Sequence, residues 1–210
     1  IGLSSAGANI VCAARTSREI ADTADAIMTN GGNAIALEMD ACNRDSCSEV
    51  VSRTIDHFGT LDVISVNHGI GESVPAEDIT KEQWARMIDI NLTGCFNIAQ
   101  AAGRAMIKQG SGGSIILTSS NASTVGFHGL TSYGASKGGV DQLCRQLAVE
   151  WGRHNIRVNT INPGYMSPGM RGSDHRYYTD EIEKAVETMT PLKRRGEPEE
   201  LVGPAVFLAS

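Results

Sequence analysis

Short apolar runs alternate along the chain with stretches where apolar residues recur every three or four positions. Five runs read as strands: Asn9–Ala14, Ala34–Met39, Leu61–Val66, Ser114–Ser119 and Arg157–Asn162. The stretches between them read as helices. Thr80-Lys-Glu-Gln83 carries a capping-box signature, followed by Trp84, Met87, Ile88 and Ile90 at helical spacing. Val140, Leu143, Leu147 and Trp151 repeat the pattern further on. Strand-helix alternation of this kind predicts repeated βαβ units and a parallel, doubly wound α/β sheet of the Rossmann type. No internal repeat or linker interrupts it, so residues 1–210 read as one domain. Met166 to Thr179 is polar, with two glycines and a proline, and reads as an irregular loop.

Composition narrows the function classes. With 210 residues, 41% hydrophobic and 20% charged, the chain suits a single α/β domain with a proper core. A net charge of −6 argues against a nucleic-acid surface. The one basic run, Lys193-Arg194-Arg195, reads as a solvated turn before a helix rather than a phosphate patch. Cysteines 12, 42, 47, 95 and 144 form an odd, scattered set without zinc spacing. Reduced thiols, no metal and a cytoplasmic location are expected. No apolar run reaches membrane-spanning length. A targeting segment ahead of Ile1 is beyond what this sequence can show.

Chemistry enters at Tyr133-Gly-Ala-Ser-Lys137. Residues four apart share a helix face. A phenol titrates near ~10, and a neighbouring ammonium lowers that value, each unit amounting to roughly 1.4 kcal/mol. The pair thus makes a tyrosine able to exchange a proton with an alcohol or carbonyl near neutral pH. Ser120, thirteen residues upstream, ends the apolar run of the fourth strand, where a hydroxyl can face a site at the sheet's carboxyl edge.

Ser120, Tyr133 and Lys137 at these spacings resemble the short-chain dehydrogenase/reductase family. Other segments extend the likeness over nearly the whole chain. Leu61-Asp-Val-Ile-Ser-Val-Asn-His-Gly-Ile70 is similar to the family's fourth strand and its Asn-Asn-Ala-Gly turn, of which Asn67 and Gly69 are kept while Val66 and His68 differ. Asp89-Ile-Asn-Leu-Thr-Gly94 is similar to the segment with the family's catalytic asparagine, here Asn91. Asn155-Ile-Arg-Val-Asn-Thr-Ile-Asn-Pro-Gly164 resembles the sixth strand and its Pro-Gly turn. The family's first strand and glycine-rich loop have no counterpart, and neither has its last strand. The expectation is therefore a fragment, truncated at both ends, of a protein of about 250 residues.

The resemblance implies an enzyme moving a hydride between a nicotinamide cofactor and a CH–OH group. Tyr133 would donate or accept the proton, Lys137 would lower its pKa and hold the ribose, and Ser120 would bind the substrate oxygen. Asn91 would support the lysine through a water and a local helix distortion. At the end of the first readable strand an acid selects NAD, whereas an arginine accommodates the 2′-phosphate of NADP. Ala14 and Arg15 stand there, so NADP(H) is favoured over NAD(H), with Thr16, Ser17 and Arg18 as further donors. Asp40 would touch the adenine, or cap the next helix. Asn67 and Gly69 would hold the cofactor turn, and Pro163 and Gly164 would border the nicotinamide. Pro168 stands where the family often has a carboxamide-binding threonine, and Ser167 is the substitute.

His68 reads either as a contact to cofactor or substrate, or as a neutral, hydrogen-bonded histidine. The substrate pocket is expected from Asn121, Ala122, Phe127, His128, Tyr165, Met166 and Met170, under a lid at Arg171-Gly-Ser-Asp-His-Arg-Tyr-Tyr178. So polar a lid suits sugars, sugar acids or polyols. A 3-oxoacyl-thioester reductase and a non-catalytic subunit of the same fold are the alternatives. A homotetramer is expected, with small residues Gly134, Ala135, Gly138 and Gly139 and the bulky Trp151 on the helix it would use.

Overall fold

The computed structural model describes residues 1–167 and 179–210. The expected lid, with Pro168, Met170 and Arg171–Tyr178, lies outside them. Elements alternate as the apolar pattern requires. They run α1 (Gly2–Ser5), β1 (Ile10–Ala14), α2 (Ser17–Thr29), β2 (Ala34–Glu38), α3 (Arg44–Phe58) and β3 (Val63–Val66). Then come α4 (Lys81–Ile88), a π-turn (Asp89–Thr93), α5 (Gly94–Gln109), β4 (Gly113–Thr118), α6 (Thr131–Trp151), β5 (Ile156–Ile161), α7 (Asp180–Met189) and α8 (Val202–Ala209). All five predicted strands are present within a residue or two of their expected limits.

Local chemistry sets the helix ends. Asn43 caps α3 by accepting from the Asp45 and Ser46 amides at 2.9 and 3.1 Å. Thr80 and Gln83 form the predicted capping box on α4. Gly59 and Gly110 close α3 and α5 at φ 83° and 79°, a left-handed conformation that other residues adopt only with strain.

Every strand pair is parallel, so the carboxyl ends of the strands in each sheet share one edge. The single sheet expected from the sequence is, among the described residues, two: β1–β2, and β3–β4–β5. Between them lies a cleft of about 1130 Å³, lined by Leu3, Ala13, Val63, Ser65, Val206 and Ser210 among others. The main core joins β3, β4 and β5 to α3, α5 and α6, with Met106, Ile115, Leu117 and Val140 shielded from solvent. A smaller core holds Ala24 and Ile27 of α2 against Ala34. The end of α8 is tied to the amino ends of β4 and β5, because the Leu208 carbonyl accepts from Ser114 Oγ at 2.7 Å and Arg157 Nη1 at 2.8 Å.

Candidate active site

β4 ends at Thr118, and the chain turns through Ser119 and Ser120 into a short 3-10 turn, Asn121–Ser123. Ser120 is buried at the head of that turn, where its Oγ accepts from the Ala122 amide at 3.2 Å. It also donates to Asn121 Oδ1 at 3.3 Å. Thr131 then opens α6, which carries Tyr133 and Lys137 one turn apart. Lys137 is only 3% exposed. Its ammonium donates to the Thr118 carbonyl at 2.8 Å and lies 5.8 Å from the centre of the Tyr133 ring. Ser119 Oγ donates to the Lys137 carbonyl at 3.1 Å, so strand end and helix start are stitched in both directions. Burial pulls the Lys137 pKa down, while the neighbouring Cys95 and Asp141 push it back up.

Asn91 sits in the π-turn and is completely shielded from solvent. The turn is the helix distortion expected at this residue. Its side-chain amide clasps Ile70, accepting from the Ile70 N–H at 2.8 Å and donating to the Ile70 carbonyl at 2.9 Å. It also donates to Ser136 Oγ at 3.1 Å, and Ser136 Oγ donates to the Tyr133 carbonyl at 2.7 Å. Asn91 therefore joins the turn after β3 to the helix that carries Tyr133 and Lys137.

Four of the expected cofactor residues meet in one place. Arg15, Asp40, Asn67 and Gly69 all line the cleft between the two sheets, alongside His68. A guanidinium, a carboxylate and a side-chain amide along one cleft can hold a nicotinamide dinucleotide. Two details differ from expectation. Ser17, read as a phosphate donor, instead gives its hydroxyl proton to Glu38, whose carboxylate reaches over from the end of β2. Asp40 caps no helix; its carboxylate accepts from the Cys42 amide at 2.9 Å, and Asn43 caps α3.

Pro163 and Gly164 lie apart from that cleft, beyond the end of β5. The Pro163 carbonyl accepts from the Asn121 amide at 3.0 Å, which sets them beside the Ser120 turn. Residues read as pocket walls gather nearby. Ala122 and Phe127 line a second cavity of about 350 Å³ with Leu130 and Gly134. Phe127 meets Tyr165 edge-to-face at 6.3 Å, and Met166 follows. His128 is exposed.

Sequence reading missed three supports. Asn162 donates to both Asp141 oxygens at 3.0 and 3.1 Å, to Ser123 Oγ at 3.1 Å and to the Ser120 carbonyl at 3.3 Å. Asn162 thus ties the end of β5 to α6 and to the Ser120 turn. Lys193-Arg194-Arg195 is a turn before a helix with Lys193 and Arg194 exposed, as expected, but two of its cations are ion-paired: Arg194 with Glu200 at 2.8 Å and the buried Arg195 with Glu183 at 2.6 Å. The small residues of α6 find partners within the chain. A side chain at Gly139 would collide with Leu92, and the Trp151 ring packs against Gly103, where a side chain would collide with it. No signal in the sequence alone pairs residues so far apart.

No group of residues among those described could hold a metal, and no helix among them is long and apolar enough to cross a membrane. The profile of the family described as "Enoyl-(Acyl carrier protein) reductase" matches residues 2–210. Versicolorin reductase of Emericella nidulans is 34% identical over 220 residues, covering 100% of this chain and 82% of that protein. L-Rhamnose 1-dehydrogenase (NAD(P)(+)) of Azotobacter vinelandii is 37% identical over 190 residues, covering 89% and 72%. A gluconate 5-dehydrogenase from Burkholderia cenocepacia J2315, solved with NADP and tartrate, superposes with a TM-score of 0.92 at 30% identity, over 100% of this chain and 81% of that one.

Proposed function

The chain belongs to the short-chain dehydrogenase/reductase family, oxidoreductases that act on CH–OH groups with a nicotinamide cofactor, and we propose that it oxidises or reduces a sugar, sugar acid or polyol with NADP(H). The observation that carries the reading is the buried Lys137 ammonium beside the Tyr133 ring at the carboxyl end of β4. A cation held there favours the phenolate and lets the hydroxyl act as acid or base. When bound, the nicotinamide supplies the hydride chemistry. In reduction the Tyr133 hydroxyl gives its proton to the nascent alkoxide oxygen; in oxidation the phenolate takes the alcohol proton. Ser120 donates to the substrate oxygen where negative charge develops. Lys137 would hold the nicotinamide ribose, and Asn91 would support the lysine.

Cofactor selection falls to Arg15, which has no carboxylate beside it at Ala14 to repel a 2′-phosphate. Asp40 would contact the adenine, Asn67 and Gly69 would hold the cofactor turn, and Pro163 and Gly164 would border the nicotinamide. The polar substrate class draws support from a rhamnose dehydrogenase and a gluconate dehydrogenase among the relatives. The functional form is a homotetramer of a cytoplasmic enzyme.

The test is a panel of aldoses, hexonates, polyols and oxoacyl thioesters, offered to the purified full-length protein with each cofactor. Turnover of the sugar or sugar-acid group with NADP is expected. Preference for a 3-oxoacyl thioester would replace the substrate reading. Cofactor binding without any turnover would favour a non-catalytic subunit.

A further inference from the structure

We infer that His68 is a positioning residue, whose imidazole fixes the π-turn that carries Asn91 against the turn after β3. The inference rests on the hydride-transfer reading above and adds to it a residue that the family's Asn-Asn-Ala-Gly pattern fills with alanine.

His68 lies between Asn67 and Gly69, and its Nε2 is 3.0 Å from the Ile90 carbonyl oxygen. A carbonyl only accepts, so Nε2 carries the proton. Burial pushes the ring's pKa down and keeps it neutral, with the proton committed to this bond. The acceptor lies where the helical pattern changes. In a regular helix the Ile90 carbonyl would accept from the amide four residues on, which is Gly94. Here the Gly94 amide donates to the Asp89 carbonyl, five residues back, because the chain makes a π-turn. The imidazole supplies a donor where the helical ladder has shifted.

The seat for the ring is specific. A Cβ on Gly94 would stand 2.8 Å from His68 Nε2, so the imidazole rests against bare backbone. The adjacent pair of residues repeats the tie in reverse: Asn91's side chain grips the Ile70 backbone. Three neighbouring bonds thus lock the turn at 67–70 to the turn at 89–93. From Asn91 the path continues through Ser136 to the helical turn between Tyr133 and Lys137. An alanine at position 68 could not make the first tie.

The test compares His68→Ala and His68→Gln in the full-length protein. Loss of the donor should lower kcat roughly 10- to 100-fold while substrate KM and NADP dissociation constant change by no more than about threefold. His68→Gln keeps an N–H at similar reach and should recover most of kcat. Amide exchange across Asp89–Gly94 should quicken in His68→Ala and not in His68→Gln. If His68→Ala does not fold, His68→Asn, polar but too short to reach, takes its place. Gly94→Ala should reproduce the kcat loss and add little to His68→Ala. A wild-type kcat in His68→Ala, or a loss that glutamine does not repair, overturns the role. Tyr133→Phe is run alongside. Turnover surviving in that variant would sink the catalytic assignment itself, whereas turnover lost there but kept in His68→Ala sinks only the positioning role.

Discussion

β1 and β4 are both largely apolar runs, with opposite fates. In β4, Ser114, Ile115, Ile116 and Leu117 are all buried. In β1, Ile-Val-Cys-Ala-Ala is half-buried at every position. Composition does not separate them; neighbours do. β4 has β3 on one side, β5 on the other, and the packing of α5 and α6. β1 pairs only with β2, and its other edge opens onto the cleft between the sheets. An apolar strand is sealed by what flanks it, and a sheet edge left without a partner keeps its backbone donors and acceptors available. The division carries over to function. The proposed proton chemistry stands on the sealed sheet, the proposed choice of cofactor at the end of the open one.

If the division holds, the largest effect comes from the sealed side. Tyr133→Phe should cut turnover by about 10²- to 10⁴-fold and leave NADP affinity near wild type in a fluorescence titration. Loss of both together would erase the distinction between the sheets.

Stability should follow the same line. Met106→Ala, in the shielded core, should lower unfolding free energy by roughly 2–5 kcal/mol in urea titrations. Ile10→Ala in β1 should lose only about 1 kcal/mol, because half-buried side chains give up half as much apolar contact. Equal losses would mean that the cleft is closed in solution.

Smaller effects are expected at the open sheet. Arg15→Ala should weaken NADP about tenfold and NAD hardly at all, since only the 2′-phosphate meets the guanidinium. Equal weakening of both cofactors would remove Arg15 from the selection. Glu38→Gln should have the least effect, a gain in NADP affinity of about two- to threefold, by lifting a negative charge from beside Ser17. No gain would mean that this carboxylate lies too far from the phosphate to be felt.

Much of this was legible in the sequence. The five strands follow from apolar runs bounded by polar turns, and the α4 start follows from Thr80 and Gln83, because both signals are local. Tyr133 and Lys137 were legible for the same reason, a fixed spacing on one helix. Bonds between distant segments were not. His68 to Ile90, Glu38 to Ser17 and Asn162 to Asp141 join residues 21 or 22 apart, and nothing in their own neighbourhoods announces a partner. The split of the sheet was legible in part, since the family's first strand has no counterpart in this sequence and β1, interior by composition, has no partner along one edge.

Arg195 has a consequence of its own. Its guanidinium, 8% exposed, grips Glu183 on α7 and donates to the Met166 carbonyl at 3.3 Å, while lying 5.8 Å from the Tyr165 ring. The two contacts stand on either side of residues 168–178 and hold the ends of that segment together. Holding two stretches of chain together removes conformational freedom that the unfolded chain possesses, and the cost is met once, on folding. The guanidinium also holds the Glu183 carboxyl below the usual carboxylate range, so the clasp persists at neutral pH and releases only as acid protonates it. One arginine, far along the chain from Tyr133 and Lys137, thereby joins Met166, beyond the end of β5, to Glu183 on α7.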